Sequence, residues 1–389
     1  MDSLKLFTFY CIVLCCVSHG SPTLHPVVFI PGDGGNQLEA KLNKTNVVHY
    51  ICEKTSNGYF NIWLNMELLV PLVIDCWIDN IRLNYDNVTR TTAEPPGVDI
   101  RVPGFGNSET VEWIDPSHAA TGAYFKDIGN LLQEQAWKDR YIKRLVALSG
   151  AWGGSMKAMK VFAMGDDLGS YVLRPSIMKA EQMSQPSTAW LLPSPLFWKP
   201  DEILVETEKK NFTLSNLEEF FKGLNFMDGW EMHKDMKPYQ VNFKPPGVEV
   251  HCLYGTGVDT VERLYYKPGT WLDGTPTLIN GDGDGTVNTR SLEGCRYWLT
   301  LQKQKIFYQS FPKVDHLAIL HSNLTLQYVS SLVHSDEPSA KEYVAKSNKL
   351  DMHWIKKIIP HQKVSSENKT KSFSFRNEPL GPVLYVNDV

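Results

Sequence analysis

Leu278-Ile279-Asn280-Gly281-Asp282-Gly283-Asp284-Gly285-Thr286 is a short apolar run that breaks into a glycine-rich turn with a carboxylate at its tip. Short β-branched, aliphatic or aromatic runs ending in glycines are the pattern of buried parallel strands, whose carboxyl ends carry the site in α/β folds. Four more stretches repeat it. Val27-Val28-Phe29-Ile30 runs into Pro31-Gly32-Asp33-Gly34-Gly35, and Leu145-Val146-Ala147-Leu148 runs into Ser149-Gly150-Ala151-Trp152-Gly153-Gly154. Val248 to Tyr254 runs into Gly255-Thr256-Gly257, and Ile306-Phe307-Tyr308 leads past Pro312 to Asp315-His316. Five such tips predict an α/β chain with a mostly parallel sheet, and chemistry is expected at them.

The remaining sequence bounds what that sheet belongs to. A chain of 389 residues, 42% hydrophobic and 21% charged, is long enough for one large α/β domain with insertions or for two smaller domains. Its formal net charge of -4 is small and no basic stripe tracks a phosphate backbone, so nucleic acid is set aside as a partner. Residues 1–20 read as a secretory signal: Lys5, the apolar run Leu6 to Val17, then Ser18, Gly20 and Ser21 as a cleavage region. As a membrane anchor that run is too short, since spanning takes about 20 apolar residues. Asn-x-Ser/Thr triplets at Asn43, Asn87, Asn211, Asn323 and Asn368 fit a lumenal route as glycosylation sites. The expected destination is the secretory pathway, ending in the lysosome or outside the cell.

Cysteine usage agrees with that route. Cys11, Cys15 and Cys16 would leave with the signal, and the remaining Cys52, Cys76, Cys252 and Cys295 suit two disulfides with three possible connectivities. Nearest-neighbour pairing is preferred, because each pair then closes one local loop. No Cys-x-x-Cys or histidine cluster accompanies them, so a zinc knuckle is not expected.

Residues 156–244 mix a helical stretch, Leu217 to Leu224, with loops such as Trp190-Leu191-Leu192-Pro193 and Trp198-Lys199-Pro200. A cap inserted into the sheet and a plain irregular connection both fit that composition. The main domain is taken as residues 21–335. From Asp336 to Val389 the chain is Lys/Ser-rich and loses periodicity apart from Trp354 to Ile359, which reads as a mostly mobile tail.

Two residues have the chemistry of an acid and a base. Asp284, in a tight turn after an apolar strand, is placed as a carboxylate that orients an imidazole, or as a turn residue that bonds only local backbone. A calcium loop is the third reading, since Asp282, Asp284, Thr286, Asn288 and Glu293 fall at ligand-like offsets; Val287 at the position needing glycine and Arg290 argue against it. His316 follows downstream, and acid before base is the chain order of the last two triad members in α/β-hydrolases. A lone histidine can equally be structural. The loop from Cys52 to Cys76 is a further signal: Tyr59, Phe60, Trp63, Leu64, Leu68 and Leu69 make it too apolar for an exposed loop unless something covers it. It is either a core helix or a disulfide-clipped amphipathic element that docks on a membrane or lipoprotein surface.

Several motifs in order resemble the family of lecithin:cholesterol acyltransferase and lysosomal phospholipase A, on its phospholipase side. They are Pro31-Gly32-Asp33-Gly34-Gly35-Asn36-Gln37-Leu38-Glu39, Asp75-Cys76-Trp77-Ile78-Asp79-Asn80, Val102-Pro103-Gly104-Phe105-Gly106, Tyr254-Gly255-Thr256-Gly257 and Gly281 to Val287. The likeness covers roughly His25 to Ser335. It implies an α/β-hydrolase fold with a cap and a small membrane-binding subdomain. It also implies transfer of a glycerophospholipid acyl group to water or to a lipid alcohol through an acyl-serine, with no cofactor. By motif, Asp284 would be the triad acid, His316 the base and Asp33 part of the oxyanion hole. Residues Cys52 to Cys76, Trp63 included, would be the lipid-docking element, and both nearest-neighbour cysteine pairs match the family's disulfides.

One part is missing. The chain contains no Gly-x-Ser-x-Gly, the sharp turn that exposes a nucleophilic serine beside a backbone N–H for the oxyanion. The resemblance is interrupted between Gly129-Asn130-Leu131-Leu132 and Gln135-Ala136-Trp137-Lys138-Asp139, where the family carries its Tyr-Asp-Trp-Arg region and Ala-His-Ser-Met-Gly elbow. About two strand-plus-helix units, ~60 residues, are absent there. With them go the nucleophile, a second oxyanion donor and at least one central strand, so the sheet is expected to be incomplete. Ser149 and Ser155 both lack the elbow's spacing. The expectation is a shortened member of the family with impaired acyl chemistry; the alternative is a non-catalytic, secreted lipid-surface binder.

Overall fold

The structure is a computed structural model that describes residues 28, 30, 32, 34–104, 109–112, 135–169 and 173–333. The signal region, Asp33, Asn368 and the tail lie outside the described residues. In chain order the strands are β1 (Leu38–Leu42), β2 (Phe60–Trp63), β3 (Asn84–Asp86), β4 (Thr91–Ala93), β5 (Val98–Arg101) and β6 (Arg144–Leu148). They continue with β7 (Val205–Glu206), β8 (Asn211–Phe212), β9 (Glu249–Thr256), β10 (Val258–Tyr265), β11 (Thr277–Gly283) and β12 (Ile306–Pro312). Together with the helices they make a mixed α/β chain with open sheets.

The sheet that positions the site has the order β12-β9-β6, and both pairings are parallel. Its centre is β9, and sequence explains why. Val250 and Cys252 pack on one face with Cys295, Trp298 and Ile306, while Leu253 packs on the other with Leu148, Phe311 and Ile319. A strand buried on both faces needs this continuous apolar character. Cys252 and Cys295 are joined by a disulfide behind it.

Two sequence expectations change here. Leu278 to Asn280 was expected in a buried parallel strand, yet β11 pairs antiparallel with β10 and exposes most of its residues. A single residue, Gly257, with a φ of 73°, separates β9 from β10, and β10-β11 is extended by β7 and β8 into a separate sheet. The second concerns Val27 to Ile30. Of these, Val28 and Ile30 are described; neither lies in a strand, and they are 78% and 37% exposed. Among the described residues β6 pairs with β9 alone. A parallel strand is held by ladders on its flanks, and the segment expected to supply a neighbouring strand is absent from the sequence.

Residues 156–244 pack with β10 around their own apolar cluster, which includes Phe162, Trp198, Phe220, Phe221, Leu264 and Tyr266. The predicted helix from Leu217 forms as Leu217–Gly223. A third sheet, β2-β1-β5, packs under the helix Val73–Ile81. In β1, Leu38, Ala40 and Leu42 are buried and alternate with Glu39 and Lys41; in the helix, Ile74, Trp77 and Ile81 share the inward face. The Cys52–Cys76 disulfide ties that helix to the loop before β2. No helix among the described residues is long and apolar enough to cross a membrane.

Candidate active site

Asp284 and His316 lie 32 residues apart in sequence and meet in space, with His316 Nδ1 2.7 Å from Asp284 Oδ2. The turn after β11 presents the carboxylate: Asp284 Oδ1 accepts from the Thr286 N–H at 3.1 Å and the Val287 N–H at 2.7 Å. The loop after β12 presents the imidazole, and the His316 N–H donates to the Asp284 carbonyl at 2.8 Å. Asp284 is fully buried, whereas the His316 side chain is 15% exposed. This leaves the carboxylate shielded and the ring at the rim. Because the carboxylate only accepts, Nδ1 carries a hydrogen and Nε2 is the nitrogen through which the ring can take up a proton.

Gly255 makes that approach possible, a residue that strand patterning alone does not single out. A Cβ at this position would collide with the Val314 carbonyl and come within 3.3 Å of Asp284 Cβ. The only signal in the sequence is its place in Tyr254-Gly255-Thr256-Gly257. The neighbouring carboxylate, Asp282, accepts from the Gly257 N–H at 2.6 Å and the Thr289 hydroxyl at 2.9 Å, so each acid of the turn serves donors of its own.

Of the two serines weighed as substitutes, Ser155 is engaged in the fold and Ser149 is buried. Ser155 caps the helix Met156–Met164, accepting from the Lys157 N–H at 3.0 Å, and donates to the Thr286 carbonyl. Ser149 closes β6 with a left-handed φ of 50° and is 3% exposed, its hydroxyl buried away from solvent. Asp33 falls outside the described residues; its neighbours make hydrogen bonds. Gly35 N–H donates to the Gly32 carbonyl at 2.9 Å, and the Trp63 indole N–H donates to the Gly34 carbonyl at 2.9 Å.

The apolar residues expected to meet lipid fall into two sets. Leu69 is 4% exposed and belongs to the core beneath the helix Val73–Ile81. Tyr59, Phe60, Trp63, Leu64 and Leu68 are half-buried; Tyr59 hydrogen-bonds Asp99 at 2.5 Å and lies under Arg101. Met66, Val70 and Leu72 instead face outward, at 55%, 43% and 69% exposure. The short helix Met66–Leu69 and the turn after it sort the residues this way, a division that hydrophobicity alone does not reveal. Asn43, Asn87, Asn211 and Asn323 are all exposed.

A carboxylate–imidazole pair held beside the carboxyl ends of parallel strands is the acid and base arrangement of the α/β-hydrolase class. The family model for lecithin:cholesterol acyltransferase matches residues 59–134 and 128–327, and the chain belongs to that family. It is 39% identical to the lysosomal phospholipase A and acyltransferase of Bos taurus over 373 positions, covering 79% of this chain and 91% of the relative. The Homo sapiens protein of the same description is 38% identical with 79% and 90% coverage. The phosphatidylcholine-sterol acyltransferase of Gallus gallus is 36% identical, covering 77% and 88%.

These matches have a seam. The family model aligns in two pieces that meet at residues 128–134. In the bovine comparison, 79% of 389 residues is about 307, so about 66 of the 373 aligned positions have no counterpart in this chain.

Proposed function

We infer that this chain is a lipid-surface protein of the phospholipase and acyltransferase family that retains the acid–base half of an acyl-transfer site without the attacking serine. The observation that carries this reading is the coincidence of the seam at residues 128–134 with the place where the Gly-x-Ser-x-Gly segment is expected. In the reaction implied by family membership, His316 would take the proton from a serine hydroxyl through Nε2, and Asp284 would hold the ring and stabilise the imidazolium. The turn carrying Asp33 would offer a backbone N–H to the oxyanion. In this reading no acyl-enzyme forms, because the Gly-x-Ser-x-Gly segment that would bring a serine hydroxyl to the imidazole is absent from the sequence, and a preorganised site tolerates displacements of only about 0.5 Å. Buried Ser149 and helix-capping Ser155 do not supply that hydroxyl.

Docking is retained in this reading. Met66, Val70 and Leu72 form the exposed apolar face of the disulfide-clipped element, while the half-buried Trp63 and Leu64 pack against the core beneath the helix. The substrates in the relatives' names, phospholipid and phosphatidylcholine, point to a phospholipid membrane or lipoprotein surface as the partner. A secretory route to the lysosome or outside, with glycans on the exposed asparagines, completes the proposal.

Sedimentation with phosphatidylcholine vesicles tests the docking half. Burying a Met and a Leu side chain contributes roughly 1.5–3 kcal/mol each, so Met66→Ser with Leu72→Ser should weaken vesicle binding by about tenfold or more. Binding unchanged in the double variant would reject the assigned surface.

A further inference from the structure

The central strand carries a buried polar cluster that the acid–base pair does not use. His251 of β9 is 1% exposed, and both of its ring nitrogens are engaged: Nε2 lies 3.0 Å from Glu249 Oε1 and Nδ1 2.9 Å from the Tyr328 hydroxyl. The groups facing the ring come from every element packed on it. Arg144 of β6 donates to Glu249 Oε1 at 3.1 Å, Phe307 of β12 stacks on the imidazole with centroids 4.7 Å apart, and the helix Asn323–Val333 supplies Tyr328. Arg144 also donates to the Leu332 carbonyl, so the helix is attached twice to one cluster.

The partners fix the tautomer. Glu249 is held below the usual carboxylate range, chiefly by its hydrogen bond with His251. A carboxylate only accepts, so the neutral ring carries its hydrogen on Nε2, and Nδ1 must accept from the Tyr328 hydroxyl. Adding a proton at Nδ1 reverses that bond. The hydroxyl hydrogen then has to find another acceptor, and a second cation appears beside Arg144.

We propose that His251 is an acid-sensitive latch: while neutral it fastens the helix Asn323–Val333 to the sheet, and when protonated it loosens that helix. The loop bearing His316 runs directly into this helix, so acid would relax the segment behind the base. The latch is a property of the fold and does not depend on the acyl-transfer reading. Burial lowers the His251 pKa from its ordinary value; the hydrogen bond and charge of Glu249 oppose this, and Arg144 adds to the lowering. For a base with a depressed folded-state pKa, the stabilisation is complete above the unfolded value of about 6.5. It falls as pH drops below that value, and levels off beneath the folded-state midpoint.

Hydrogen exchange of the full chain between about pH 7.5 and 4.5, corrected for intrinsic rates, reads the latch directly. Protection of the amides from Leu324 to Leu332 should fall by about tenfold for each pH unit within the window below about 6.5, then level off. Tyr328→Phe should lower protection at neutral pH, and His251→Gln, which removes the titrating ring, should show no further loss in acid. Flat protection in the unaltered chain, or a His251→Gln variant that still loses protection with acid, would overturn the proposal. So would a His251 ring resonance titrating at or above about 6.5 in the unaltered chain.

Discussion

Asp284 was legible in the sequence as a residue and illegible as an environment. Its place after an apolar run, ahead of His316, marked it as an acid; nothing local told of the Thr286 and Val287 N–H groups that share Oδ1, or of Gly255 clearing room behind it. Those contacts give a prediction that separates the two members of the pair. Asp284 is fully buried and accepts from three donors, so Asp284→Ala strands buried N–H groups and should cost about 3 kcal/mol or more. His316 sits at the rim, and His316→Ala should cost about 1–2 kcal/mol. Urea unfolding of both variants checks the order; equal losses would show that the carboxylate does not anchor its loop.

At the scale of elements, β6, β9 and β12 follow from their apolar runs, but β11 shows the limit of that reading. A short apolar run ending in glycines looks the same whether its neighbour is parallel or antiparallel, and the partner β10 (Val-Asp-Thr-Val-Glu-Arg-Leu-Tyr) alternates with charge in a way that reads as surface. The docking element was visible as an apolar loop, while the direction of each side chain depends on how the helix Val73–Ile81 is seated. Lys44 does part of that seating. Its side chain is 5% exposed, and the ammonium donates to the Asp79 carbonyl at 3.1 Å and Asn80 Oδ1 at 2.9 Å and pairs with the Asp79 carboxylate. Truncating one partner of a buried ion pair leaves the other unsatisfied, so Lys44→Met should cost about 3 kcal/mol. It should also make the Cys52–Cys76 element the first to open under limited proteolysis. A variant as stable as the parent would mean that the helix is held by its apolar face alone.

For the molecule as a whole, the sequence revealed the seam before the fold did. Motifs on both sides of residues 128–134 match one family, and the family model breaks at that place. What sequence left open was the sheet's make-up: among the described residues β9 has two parallel neighbours, β6 and β12, and Val28 and Ile30, written as a strand, stand exposed outside one. Strand propensity is a fit to neighbours, and without neighbours it specifies little.

Labelling of the purified full chain with a fluorophosphonate, which reports an activated serine, bears most directly on the proposed loss of the nucleophile. No covalent adduct should form, while an elbow-bearing relative labels under the same conditions. An adduct on any serine of this chain, accompanied by phospholipid ester turnover, would contradict the account.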